Sequence, residues 1–239
     1  MTDISECKTV SAVIVAAGQG TRMNMNVRKQ FIGIAGVPVL ARTIKAFEDC
    51  ELINEIIVVV NSSDIMYCKQ AIVDCYGFKK VKVIVSGGNE RQDSVFNGLR
   101  QVDQECSVVV IHDGARPFVE NEHIRSCIEA ANEFGAASLA VPVKDTIKSG
   151  DADGFVSQTL ERKHLWSIQT PQGFRYPVII KAHEKAIEEG YTGTDDCVLA
   201  ERLGIRTKLV TGSYYNIKIT TKEDIAIAEA IVQNYFGSD

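Results

Sequence analysis

The chain lacks an excess of positive charge. Its 26 Lys and Arg stand against 31 Asp and Glu, a net charge of −5. That balance argues against a broad footprint for nucleic acid or an anionic membrane, so any polyanionic ligand must meet local basic groups. Long apolar runs are also missing. None approaches the roughly 18 residues that suggest a membrane span, and Met1 to Cys7 shows no basic segment leading into an apolar one. Neither nucleic acid nor a membrane is expected as a partner, and the expected compartment is the cytoplasm. The seven cysteines include no C-x-x-C pair and no His/Cys grouping at zinc spacing, so they read as reduced thiols, mostly filling the core.

Two nucleotide fingerprints are absent as well. Ala16-Ala17-Gly18-Gln19-Gly20-Thr21-Arg22-Met23 follows the first apolar run, but Met23 stands where a dinucleotide fold would need its third glycine. No acidic residue closes the second run, which passes into Asn61-Ser62, and no G-K-[ST] follows the glycines. A nicotinamide cofactor and a Walker A loop are thereby disfavoured.

What is present is a regular alternation of short β-branched runs with longer helical patterns. Ala12–Val15, Ile56–Val60, Val81–Val85, Val108–Ile111 and Ala137–Val141 read as strands; 39–48, 64–76, 91–101 and 121–133 read as helices. This predicts an α/β fold with a doubly wound, mostly parallel, Rossmann-like sheet and helices on both faces. Residues 1–239 read as a single domain, which 45% apolar content is enough to fill. Between 144 and 170 the pattern breaks into brief extended pieces and predicts a protruding β-arm suited to packing on a partner subunit. Helices near 177–189 and from Thr194 to about 203, a strand from Thr207 to Thr211 and a helix from Lys222 to about Tyr235 follow.

The glycine turn sits at the carboxyl edge of the predicted sheet, where open α/β folds bind ligands. Its glycines allow backbone N–H groups close to a phosphate, and Arg22 and Lys29 bring a guanidinium fork and a point charge. An ordinary tight turn with solvated basic residues fits the same stretch. Gly87-Gly88 reads equally as a plain turn. Asp113 and Arg116, three apart, read as a ligand-binding pair or as a local ion pair. Thr194 fits a pocket residue or a helix N-cap. His112, at a strand end, reads as a hydrogen-bonded histidine.

Several motifs in order carry a resemblance: Ala16-Ala17-Gly18-x-Gly20-x-Arg22-Met23, Lys29-Gln30, Gly87-Gly88-x-x-Arg91-x-x-Ser94-Val95, His112-Asp113-Gly114-Ala115-Arg116-Pro117, Pro142-Val143-Lys144-Asp145-Thr146, Thr170-Pro171-Gln172, Thr194-Asp195 and Asn216-Ile217-Lys218. With them the chain closely resembles the 2-C-methyl-D-erythritol 4-phosphate cytidylyltransferases of non-mevalonate isoprenoid synthesis. The resemblance implies transfer of the cytidylyl group of CTP to methylerythritol phosphate with release of pyrophosphate. It further implies a homodimer and a divalent cation, usually Mg²⁺, held more by the nucleotide phosphates and water than by the protein.

By the same resemblance, Arg22, Lys29 and Lys218 are the catalytic cations, and Ala16, Ala17, Gly18, Gly20, Gly88, Asn89 and Ser94 bind CTP. Asp113, Arg116, Thr146, Arg162, Thr170, Thr194 and Asp195 fall to the acceptor, with Thr146 and Arg162 reaching it from the neighbouring subunit's arm. Two residues depart from the pattern: Arg28 stands where proline is common, and Gly114 where alanine is common. Arg28 would either loosen the loop carrying Lys29 or add a cation, while Gly114 would change backbone rigidity.

The rival readings are a ribitol 5-phosphate cytidylyltransferase, a sugar-phosphate nucleotidylyltransferase using UTP or GTP, and a non-catalytic nucleotide-binding domain. Ala16-Ala17-Gly18 and the full Pro142 to Thr146 stretch favour methylerythritol phosphate over ribitol phosphate.

Overall fold

The computed structural model of the chain describes residues 9–18 and 28–236, the side chains of Lys29 and Phe236 excepted. In chain order, β1 (Val10–Ala16) precedes a small hairpin of β2 (Gly33–Ile34) and β3 (Val37–Pro38), then α1 (Val39–Glu48) and β4 (Glu55–Val60). Next come α2 (Ile65–Tyr67, continued as a π-helical stretch over Cys68–Asp74), β5 (Val81–Ser86), α3 (Arg91–Leu99), β6 (Val108–Asp113), α4 (Asn121–Phe134) and β7 (Ala136–Pro142). The remainder is β8 (Lys148–Gly150), β9 (Val156–Thr159), β10 (Trp166–Arg175), α5 (Tyr176–Glu188), α6 (Asp196–Arg202), β11 (Lys208–Thr211) and α7 (Lys222–Ile231).

Seven strands form one sheet in the order β11-β7-β10-β6-β1-β4-β5. β1 runs parallel to both β4 and β6, β4 to β5, and β11 to β7. The alternation of side chains along these strands explains why the runs are apolar at every position. Ala12, Ile14, Val58, Val60, Val108 and Val110 face one layer, built from α1, α2 and α4 through Ile44, Phe47, Ile72 and Ile124. Val13, Ile57, Val59, Val109 and Ile111 face the other, built from α3, α5 and α6 through Val95, Leu99, Ile179 and Leu199. Each fully buried Val or Ile contributes about 1.5–3 kcal/mol. A third cluster seats α7 against the β2–β3 hairpin through Ile34, Phe118, Ile219 and Ile231. Among the described residues no helix is long and apolar enough to cross a membrane.

The structure corrects the reading of 144–170. The excursion is shorter: β8 and β9 pair antiparallel as a separate sheet, but from Trp166 the chain is already in β10, inside the main sheet. β10 runs antiparallel to both β6 and β7, and its register with β7 shifts between Ile168 and Gln172. Pro171 lies in that shift, where a central strand tolerates a residue without an N–H.

A second correction concerns Thr194. The N-cap of α6 is Asp195, whose carboxylate accepts from the Val198 N–H at 3.0 Å, and Thr194 is exposed. Asp195 also accepts from Gln172 Nε2 at 2.9 Å, so the cap ties α6 to β10.

Candidate active site

The carboxyl ends of β1, β4, β5 and β6 open on a cavity of about 660 Å³, the place where a doubly wound sheet binds its ligand. β1 supplies Ala16, Ala17 and Gly18; β4 runs into Asn61 and Ser62; the turn after β5 supplies Gly87, Gly88 and Asn89. Arg91 and Ser94 project from the first turns of α3, Asp113 ends β6, and Lys218 enters from the segment before α7.

Glycine is required at the β5 turn by close approach. A Cβ on Gly87 would lie 2.4 Å from Ala17 Cβ and 2.7 Å from Ser94 Oγ, and one on Gly88 would lie 2.3 Å from Asp93 Cβ. Ser94 fixes that turn, since the Gly88 N–H donates to its Oγ at 3.0 Å while the hydroxyl donates to the Glu90 carbonyl at 3.0 Å. Gly114 is likewise packed in place. A Cβ there would sit 2.8 Å from Ala16 Cβ, its N–H donates to the Val15 carbonyl at 2.8 Å and its carbonyl accepts from Thr43 Oγ1 at 3.1 Å.

Asp113 is the electrostatic centre. Lys218 Nζ lies 2.8 Å from Oδ2, Arg91 Nε 3.2 Å from Oδ1 and Arg116 Nε 3.6 Å from Oδ2. Burial opposes ionisation of this carboxyl, but the charges of Arg91, Lys218 and Arg116 outweigh it and hold Asp113 well below the usual carboxylate range. Arg91 continues the network inward, with its NH1 2.8 Å from Oδ2 of buried Asp196, whose other oxygen lies 3.3 Å from His183 Nε2. Of this network Arg91, Asp113 and Lys218 line the cavity, and the partial exposure of Lys218 leaves that cation within reach of an anion.

Lys218 owes its position to stitching around it. Asn216, fully buried, donates through Nδ2 to the Thr170 carbonyl at 2.9 Å, and the Ile219 N–H donates to the Ala115 carbonyl at 2.8 Å. Asp224 accepts from the N–H groups of Thr220 and Thr221 at 2.7 and 2.8 Å, anchoring the start of α7. Thr170 braces the other side: its Oγ1 accepts from the Asp113 N–H at 3.0 Å.

His112 is fully buried, with Nε2 3.0 Å from the Arg116 carbonyl and Nδ1 3.1 Å from Thr170 Oγ1. Burial pulls its pKa down to about 4, against a weaker opposing pull from that carbonyl. A neutral imidazole with both nitrogens bonded is a structural brace.

Ala16, Ala17, Gly18, Gly88, Asn89, Ser94, Asp113 and Lys218 thus share one cavity. Arg116 and Thr170 stand directly behind Asp113, and Arg116 is the local ion pair as well, its NH1 donating to the Asn216 carbonyl at 2.8 Å. Thr146 and Arg162 are exposed on the excursion and do not line the cavity of their own chain; Arg162 donates to the Lys144 carbonyl at 2.7 Å. Gly20, Arg22 and the side chain of Lys29 lie outside the described residues.

Arg91 and Gln30 are among the cavity residues to which the sequence assigns no role. Arg91 was legible only as part of the Gly87 to Val95 motif. Gln30, 1% exposed, donates through Nε2 to the Ala16 carbonyl at 2.8 Å, and its buried Oε1 has no partner among the described residues; its only signal was adjacency to Lys29.

Comparison with known proteins agrees along the chain. The family model for 2-C-methyl-D-erythritol 4-phosphate cytidylyltransferase matches residues 10–234. The chain is 53% identical over 224 residues to the 2-C-methyl-D-erythritol 4-phosphate cytidylyltransferase of Caldanaerobacter subterraneus subsp. tengcongensis, covering 94% of this chain and 99% of that one. It is 50% identical over 222 residues to the protein of the same name from Clostridium acetobutylicum, covering 93% and 96%. The crystal structure of 4-diphosphocytidyl-2C-methyl-D-erythritol synthase from Anaerococcus prevotii is similar with a TM-score of 0.85 at 35% identity, covering 96% of this chain and 98% of that one.

Proposed function

The chain belongs to the 2-C-methyl-D-erythritol 4-phosphate cytidylyltransferase family, and from that premise we infer how its residues divide the reaction. It is a nucleotidyltransferase that joins the cytidylyl group of CTP to 2-C-methyl-D-erythritol 4-phosphate, giving 4-diphosphocytidyl-2-C-methyl-D-erythritol and pyrophosphate. The observation that carries the assignment of residues is the shared cavity, in which the glycine turns of β1 and β5 meet the Asp113–Lys218 pair.

An oxygen of the acceptor phosphate attacks the α-phosphorus of CTP. The bond from that phosphorus to the bridging β-oxygen breaks, and pyrophosphate leaves with the electron pair. The attacking phosphate is already ionised near neutral pH, so no general base is needed; the work is alignment and charge neutralisation. We assign that work to Lys218, held at the wall by Asp113 yet one-third exposed, together with Arg22 and Lys29. The backbone of Ala16 to Gly18 and Gly20 takes the nucleotide phosphates, and the turn at Gly88 and Asn89 takes the cytidine. Ser94 supports that turn, its hydroxyl donating to the Glu90 carbonyl while accepting from the Gly88 N–H.

The acceptor falls to the Asp113 side, with Arg116, Thr170 and Asp195 bracing it from behind. Mg²⁺ is proposed on the CTP phosphates. The carboxylates on the cavity wall are Asp113, already held by cations, and exposed Glu90, a donor set that fits a cation carried by phosphate and water. Bound there, it offsets charge on the phosphates.

A homodimer is proposed on the excursion. Ile147, Phe155 and Val156 are exposed on it, Phe155 at 72%, and Trp166 and Ile168 of β10 are exposed as well, apolar side chains that a second copy would cover. Thr146 and Arg162 on the same excursion are assigned to the partner's acceptor.

Pyrophosphate release from CTP with methylerythritol phosphate, and separately with ribitol 5-phosphate, tests the whole reading. The first acceptor should turn over faster, and Lys29→Ala and Lys218→Ala should each lose at least about a hundredfold in rate. Faster ribitol phosphate turnover sinks the acceptor, and unchanged variants sink the cation roles.

A further inference from the structure

Arg28, one of the two departures from the family pattern, is neither a loosened residue nor a spare cation. Its NH1 forms a close ion pair with the Asp64 carboxylate, and its NH2 donates to Ser63 Oγ at 2.9 Å. The two side chains are 30% and 14% exposed, which shelters the pair more than most surface pairs.

The partners sit on a rigid anchor. Asn61 Oδ1 accepts from the Ser63 N–H at 3.2 Å, and the Asp64 N–H donates to the Asn61 carbonyl at 2.8 Å, closing a turn at the end of β4. Asn61 and Ser62 of this turn line the cavity. On the other side of the pair, Arg28 opens the helical turn Lys29–Phe31, its carbonyl accepting from the Phe31 N–H at 2.9 Å. Gln30 in that turn lines the cavity too, and Phe31 packs edge-to-face on Tyr67 with ring centroids 4.8 Å apart. Two contacts, one ionic and one aromatic, thus clamp segment 28–31 onto segment 61–67.

We propose that Arg28 and Asp64 form a latch that presets the wall of the CTP site, holding the segment that carries Lys29 and Gln30 against the turn after β4. The proposal rests on the assignment of this cavity to CTP. Neither residue touches a reacting atom; both are positioning residues. Without the latch the segment must be ordered when the nucleotide binds, and that ordering weakens binding. The effect therefore falls on the KM for CTP and spares kcat.

A direct role of Arg28 toward phosphate makes the opposite prediction for its partner. Removing Asp64 would then release a cation to the nucleotide and tighten CTP binding, whereas loss of a latch weakens it.

The experiment varies CTP at saturating acceptor for the wild type, Arg28→Ala, Asp64→Ala, the double variant and the exchanged pair Arg28→Asp/Asp64→Arg, with a thermal melt of each. Each single variant should raise the KM for CTP about fivefold, with kcat and the acceptor KM within about twofold. The double variant should be no worse than either single, and the exchanged pair should return to within about twofold of wild type. Should an alanine variant fail to fold, Asp64→Asn removes the charge at nearly constant shape, and the same rise is required of it.

Unchanged KM for CTP in the single variants, additive losses in the double, or tighter CTP binding by Asp64→Ala overturns the latch. Failure of the wild type to release pyrophosphate from CTP overturns the underlying site assignment instead.

Discussion

His112 and Asp113 are neighbours in sequence, yet the fold drives their protonation by different routes. Burial keeps His112 neutral down to about pH 4, whereas an unfolded histidine takes its proton near 6.5. The unfolded chain then binds more protons than the folded one between those values, so stability falls as pH drops from 6.5 to about 4. This residue alone contributes about 3 kcal/mol to that fall. Asp113, with its folded pKa depressed, stabilises the fold above the ordinary aspartate range and loses that contribution only as pH falls below it. The two effects occupy separate windows. Urea melts from pH 4.5 to 7 should show a slope in wild type that His112→Gln flattens; parallel curves would contradict the assignment of the slope to His112.

At the scale of the element, β10 and the β5 turn show how far local pattern reaches. A strand bearing Gln169, Thr170, Pro171 and Gln172 does not read as central, because polar residues and proline normally exclude that place. It is central because its amides are answered from elsewhere: Gln169 Nε2 donates to the Ser213 carbonyl at 2.8 Å, and Gln172 Oε1 accepts from the Asp196 N–H at 3.1 Å. Those partners lie more than twenty residues away in sequence, where periodicity carries no signal. The Gly87-Gly88 turn was visible as a motif, but its need for glycine comes from Ala17 and Ser94 pressing on it. Gly87→Ala should part the β1 and β5 turns, raising the KM for CTP about tenfold while shifting the melting temperature only a few degrees. Measured CTP kinetics equal to wild type would show that the turn has room.

For the whole molecule, the proposed dimer makes each site composite. Arg162→Ala and Lys218→Ala homodimers should both be nearly inactive. Mixed and allowed to exchange subunits, they should regain about a quarter of wild-type activity, because half the dimers are hybrids with one intact site of two. No recovery in a mixture shown by size to be dimeric and exchanged would place Arg162 outside the partner's site.

The sequence by itself determined the layered α/β class, since β-branched runs set at helical intervals can bury both faces only as a covered parallel sheet. It also determined the family, because the glycine turns, the Lys-Gln pair and the Asp-Arg stretch recur in order whatever lies between them. Tertiary structure alone decided which charges meet. Asp113 draws Arg91 from α3 and Lys218 from the segment before α7, and Arg28 finds Asp64 in the turn after β4. Such pairs depend on which strand ends lie side by side, and strand order is settled by how the whole sheet buries its faces, so no local spacing records it.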